Sequence, residues 1–286
     1  MATDSTLGPA CQRFPAAFVG RATGIGSLPH RIPDEAVTVA LWADVPYWPQ
    51  LPQRHASEDM RQQFTAPGAA LLPDRAAGLW ALAAALGDRR VPALKGQLTG
   101  PVTLAASGIA LAPEALAAKA AWQVTWLKRW ADEVLLVIDE PALGQVADGD
   151  REQAGRALAA LIAAIRQAGG TAGLHVCGPA DWEWAAGFGW DVLGFDLADG
   201  PPLGLLARQV MRGGGILWGC LPTDRDPDLD WARQQLSLRW HAGALPPETW
   251  YSAAMFSPAC GLGLLPLARA ERISQALSTL TAVPLA

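Results

Sequence analysis

Cysteine, histidine and tyrosine are scarce in this 286-residue chain, which has four, four and two of them. Four cysteines cannot form the disulfide framework of a small secreted domain, so a reducing, cytoplasmic setting is expected. No run of 18 apolar residues is unbroken, which argues against a membrane span. There is no basic run or stripe, and the net charge is −5, which argues against nucleic acid as a partner. The first 20 residues lack the basic start and long apolar run of a secretory signal, and 1–20, including Cys11, reads as a flexible N-terminal tail. No G-x-G-x-x-G turn opens a helix: "GIGSLP" places a proline where the third glycine belongs. No Ser/Gly-rich linker divides the chain, so residues 21–286 read as one domain.

What the chain has in quantity is apolar material, 51% of its residues, enough for a sizeable core. It falls into a strand–helix rhythm. Eight short apolar runs read as strands: 23–27, 45–51, 93–98, 134–139, 172–177, 191–196, 215–220 and 252–257. Between them lie longer Ala- and Leu-rich segments, among them "PDEAVTVALWA", "PEALAAKAAWQVTWLKRW" and "LAALIAAIRQAG". In the second of these, Leu116, Ala120, Val124 and Leu127 recur at helical spacing and should face the core, with Trp122, Trp126 and Trp130 as a packing stripe beside them. Alternating strands and helices imply parallel strands with helical crossovers, and eight repeats imply a single (β/α)8 TIM barrel of the α/β class. Chemistry in such barrels sits at the C-terminal strand ends, where the rarer residues of this chain collect.

The segment "GLHVCGP" places His175 and Cys177 two apart on a strand, so both point the same way. Imidazole and thiolate are good zinc donors, and Cys260 in "SPACGLG" follows another strand. Asp196 or Cys220 could complete a fourth position, although a buried, purely packing role suits Cys220 better. "VIDEPALG" sets Asp139 and Glu140 at a strand end, where one acid can face the mouth while the other caps the next turn. Lys95 reads as a brace of the barrel, and His30 and His55 as loop residues near its mouth.

Five stretches in order, "GIGSLPH" (24–30), "KGQLTGPVT" (95–103), "VIDEPALG" (137–144), "HVCG" (175–178) and "SPACGLG" (257–263), resemble the zinc-bearing C-terminal barrel of cobalamin-independent methionine synthase and its short single-barrel relatives. The resemblance implies a zinc-dependent thiol methyltransferase. It implies His175, Cys177 and Cys260 as Zn2+ ligands, with Asp196 standing where the family has a glutamate. It implies Asp139 as the group that holds the amine of homocysteine, and Gly26 and Ser27 as the loop that holds its carboxylate. Glu140 and Glu58 are further candidates for substrate binding, Glu58 lying near the family's second amine-binding acid.

The departures bear on the methyl donor. The chain has no room for the second barrel of the full enzyme, and "WGCLPTD" lacks the histidine thought to protonate a folate leaving group. A methyl-corrinoid protein, whose cobalt leaves without a proton, is therefore the expected donor. The alternatives are a methylcobamide:coenzyme M-type methyltransferase and a non-catalytic barrel that binds zinc or a corrinoid protein as an accessory factor.

Overall fold

The structure, a computed structural model, describes residues 13–281. Seven strands form one curled, all-parallel sheet: β1 (Arg21–Ala22), β2 (Val91–Thr99), β3 (Ala131–Asp139), β4 (Thr171–Val176), β5 (Val192–Asp196), β6 (Gly215–Leu221) and β7 (Ala254–Pro258). Their order is β1-β7-β6-β5-β4-β3-β2. The helices among the described residues are α1 (Pro33–Ala40), α2 (Ala77–Leu86), α3 (Pro101–Ala106), α4 (Pro113–Leu127), α5 (Arg151–Gln167), α6 (Trp182–Ala186), α7 (Leu203–Met211), α8 (Leu229–Ala242), α9 (Pro247–Tyr251) and α10 (Leu267–Leu280). No helix among these residues is long and apolar enough to cross a membrane.

Of the eight expected strands, the described residues show seven strands in one parallel sheet and a segment that pairs only through bridges. Residues 45–51, expected to be a strand, pair only through the isolated parallel bridges Tyr47–Lys95 and Ser27–Gln50. Pro46 and Pro49 explain the difference, because a proline has no N–H to give to a ladder. The segment still reaches both edges of the sheet. Lys95 N–H donates to Pro46 O at 2.8 Å, and Val45 N–H donates to Ala22 O at 3.0 Å. The first strand is also shorter than the 23–27 run: regular pairing stops at Ala22, and the chain continues extended to the bridge at Ser27.

Two apolar clusters follow from strand alternation. One side of the sheet contributes Ala93, Leu135, Val137, Val192, Leu217 and Met255, which pack together with Ile25 and Val45. The other side packs against the helices, and Leu116, Ala120, Val124 and Leu127 of α4 are buried there as their spacing requires. Trp122 stacks on Trp126 at 5.3 Å between ring centroids, and Trp80 of α2 closes on Trp126 at 4.9 Å. Part of the expected tail belongs to the inner cluster: Phe14 and Phe18 are buried in it, with Phe14 N–H bonded to Gly213 O at 2.8 Å. Residues 1–12, including Cys11, lie outside the described residues.

Candidate active site

Register brings the rare residues to one place. Asp139 ends β3 directly opposite His175 of β4. Cys177 follows the end of β4, and Cys260 follows β7. The inward row of β3 (Leu135, Val137, Asp139) starts in the apolar cluster and ends in the acid. His175 Nδ1 lies 3.2 Å from Asp139 Oδ1, and Nε2 lies 3.2 Å from Ala259 O, one residue before Cys260. The Sγ atoms of Cys177 and Cys260 are 3.2 Å apart, although 83 residues separate them in sequence.

Both ring nitrogens of His175 face oxygen acceptors, an arrangement that suits the doubly protonated ring. Burial opposes that charge. The hydrogen bond and charge of Asp139, with Cys260 nearby, outweigh burial and raise the pKa of His175. The two thiols behave as a pair. A hydrogen bond between them lowers the pKa of Cys260, which His175 also favours as an anion, and holds the proton on Cys177, whose pKa is raised.

The loop expected to bind a carboxylate meets the cysteine loop. Leu262 N–H donates to Ser27 O at 3.0 Å and Gly263 N–H donates to Ser27 Oγ at 3.1 Å. Gly26 has φ +152°, and a Cβ there would stand 2.7 Å from Gln97 Cδ, so the position requires glycine. Gln97 Nε2 donates to Trp48 O at 2.8 Å, which ties the floor of this loop to the bridging segment.

Other expected site residues are placed elsewhere. Glu140 is fully buried and serves α3, not the mouth: its carboxylate accepts from Val102 N–H at 2.9 Å, Thr103 N–H at 2.7 Å and Thr103 Oγ1–H at 2.6 Å. The carboxylate thus satisfies the free N–H groups of the first turn. Burial raises its pKa to about 7 against those hydrogen bonds. Glu58 is also fully buried and ion-paired to Arg54, with its pKa raised chiefly by burial. Asp196 Oδ1 caps its own turn, accepting from Ala198 N–H at 2.9 Å. Cys220 packs in the helix-side cluster, where burial pushes its thiol up to about 12. His30 sits 3.5 Å from Glu271 of α10, and His55 is exposed and accepts from Ser57 N–H.

His175, Cys177 and Cys260 fit a zinc ion in type and in convergence, and a carboxylate on the second nitrogen is the usual support of a metal-binding imidazole. Their spacing is that of a protonated cluster. Two thiolates on one tetrahedral zinc stand roughly 3.8 Å apart, from bonds of about 2.3 Å, against 3.2 Å here. Among the described residues no group of three or more His, Cys, Asp or Glu side chains is spaced to hold a metal as it stands. Holding one requires the sulfurs to part and Nε2 to leave Ala259 O, with loss of the bound protons.

Comparison with family models and with curated proteins gives no match. Among solved structures, the chain is similar to a methyltransferase from Methanosarcina mazei, at 15% identity and a TM-score of 0.48, covering 71% of this chain and 62% of that one. It is also similar to a protein described as a fructose-1,6-biphosphate aldolase from Coccidioides immitis, at 16% identity and a TM-score of 0.32, covering 66% of this chain and 77% of that one. Similarities of this size do not decide a function.

Proposed function

We propose that this chain is a zinc-dependent thiol S-methyltransferase on a (β/α)8-type barrel, with homocysteine as acceptor and a methyl-corrinoid protein as donor. The observation that carries the reading is the meeting of an Asp139-supported His175 with Cys177 and Cys260 at the ends of β4 and β7. His175, Cys177 and Cys260 are the proposed ligands, with Asp196, whose Oδ1 accepts from Ala198 N–H, as the proposed fourth. Zinc, when bound, supplies the Lewis acidity that makes a thiol a thiolate at neutral pH.

The protein's own groups then orient the acceptor. Asp139 keeps His175 in place through Oδ1, while its other oxygen has no protein partner among the described residues and is free to take an ammonium. An amine-holding acid favours an amino-acid thiol over an amine-free thiol such as coenzyme M. The Gly26–Ser27 turn receives the carboxylate, with the Ser27 hydroxyl proton available because its oxygen only accepts from Gly263. Fixing both ends of the acceptor sets the sulfur for in-line attack, a contribution of orientation.

Metal content and zinc-edge absorption, before and after adding homocysteine, test this reading. The expected result is about one zinc per chain that gains a sulfur neighbour with the acceptor, and that is lost in Cys177→Ser. Equal zinc in Cys177→Ser refutes the site. Zinc that ignores homocysteine, without turnover on methylcobalamin, points instead to the accessory-factor reading.

A further inference from the structure

The mechanism above leaves the buried charge of Lys95 unused. Lys95 is fully buried in the inward row of β2, between Ala93 of the apolar cluster and Gln97. Burying an ammonium is costly, and a barrel needing only volume there would be served by leucine. Its Nζ donates to Ile25 O and to Gln97 Oε1, the latter at 3.3 Å. Burial depresses its pKa to about 8, opposed by the charge of Asp139, so it is a cation at neutral pH.

The first of those bonds matters most. Ile25 O belongs to the peptide that carries Gly26 N–H, and in a trans peptide the two point in opposite directions. Lys95 therefore turns Gly26 N–H away from itself. Neither Gly26 N–H nor Ser27 N–H has an acceptor among the described residues, whereas Gly26 O and Ser27 O both accept, from Gln50 and Leu262 at 3.0 Å each. Gly26 is buried, so an unfilled donor there is a cost that a ligand oxygen would remove. Two successive free N–H groups with a cation behind their peptide are a receptor for an anion.

We propose that Lys95 is a positioning residue that sets the preference of the site for acceptors bearing a carboxylate, by fixing the Ile25–Gly26 peptide so that its N–H meets that carboxylate. This inference rests on the acceptor reading above and adds to it the residue that decides acceptor specificity. Gln97 is its partner, because it braces Nζ and fills the space beneath Gly26.

The test is calorimetric titration of the zinc-supplemented full chain with L-homocysteine and with 3-mercaptopropylamine, which keeps the thiol and amine but lacks the carboxylate. The wild type should prefer homocysteine by about tenfold or more, the size of a hydrogen bond to a charged group. Lys95→Met should bring the two affinities to within about twofold by weakening homocysteine alone. Gln97→Leu should move the ratio the same way, and it carries the test if Lys95→Met does not fold by circular dichroism. Retained preference in the folded variants, or equal weakening of both thiols, overturns the proposal. A wild type that binds neither thiol removes the acceptor reading itself, and this inference with it.

Discussion

Asp139 and Glu140 are neighbours with opposite employment. One shares the inward row with Leu135 and Val137 and reaches His175; the other turns back to the first turn of α3. Their substitutions should therefore separate. Asp139→Asn keeps the shape but removes the charge that supports His175, and zinc affinity should fall about tenfold to a hundredfold, read by chelator competition. Glu140→Ala should leave that affinity within about twofold and instead cost about 1–3 kcal/mol of stability, because three donors lose their acceptor. The denaturant midpoint checks it, and loss of zinc in Glu140→Ala with unchanged stability would reverse the two assignments.

At the level of elements, the junction of β2 with α3 is built by close approach. A Cβ at Gly100 would lie 2.1 Å from Glu140 Oε1, so "LTGP" needs its glycine for contact and its proline to begin the helix. Gly100→Ala should cost about 1–3 kcal/mol, the usual range for overpacking. If thermal unfolding of that variant matches the wild type, the carboxylate is not where it is described. The segment 45–50 is the other decisive element. Its short apolar run reads as a strand, yet its two prolines leave it only bridges. Its side chains and carbonyls still serve the site through Trp48 O and Gln97. The hydrophobic pattern here suggested a strand that does not form, because pairing depends on which backbone donors exist.

Across the whole molecule, the inner cluster reaches from Phe14 and Phe18 to the level of Lys95. Phe18→Ala should cost about 3–5 kcal/mol, the range for a buried aromatic, a loss that a residue of a loose tail would not show. Lys95 makes global stability depend on pH. Its pKa is about 8 in the folded chain against the ordinary lysine value of 10.5. Between those values the folded state binds fewer protons than the unfolded one, so stability rises as pH rises through that window. The gain should approach about 3 kcal/mol, at about 1.36 kcal/mol per unit. The change in denaturant midpoint from pH 7.5 to pH 10 should therefore be more positive in the wild type than in Lys95→Met, the raised thiol of Cys220 opposing it in both.

The sequence alone was enough to place six of the seven strands and the buried face of α4, and to read His175 and Cys177 onto one side of a strand. These are consequences of periodicity, which is local and needs no knowledge of the partner. Only the tertiary structure decided that Asp139 supports His175, that Cys177 touches Cys260, and that Ser27 is clasped by Leu262 and Gly263. It also gave Glu140 to the first turn of α3, Glu58 to Arg54 and Cys220 to the helix-side cluster. Those outcomes depend on strand register and on competition for buried hydrogen bonds. The register and the meetings of Asp139 with His175 and of Cys177 with Cys260 are fixed by contacts between residues tens of positions apart, which no local pattern records.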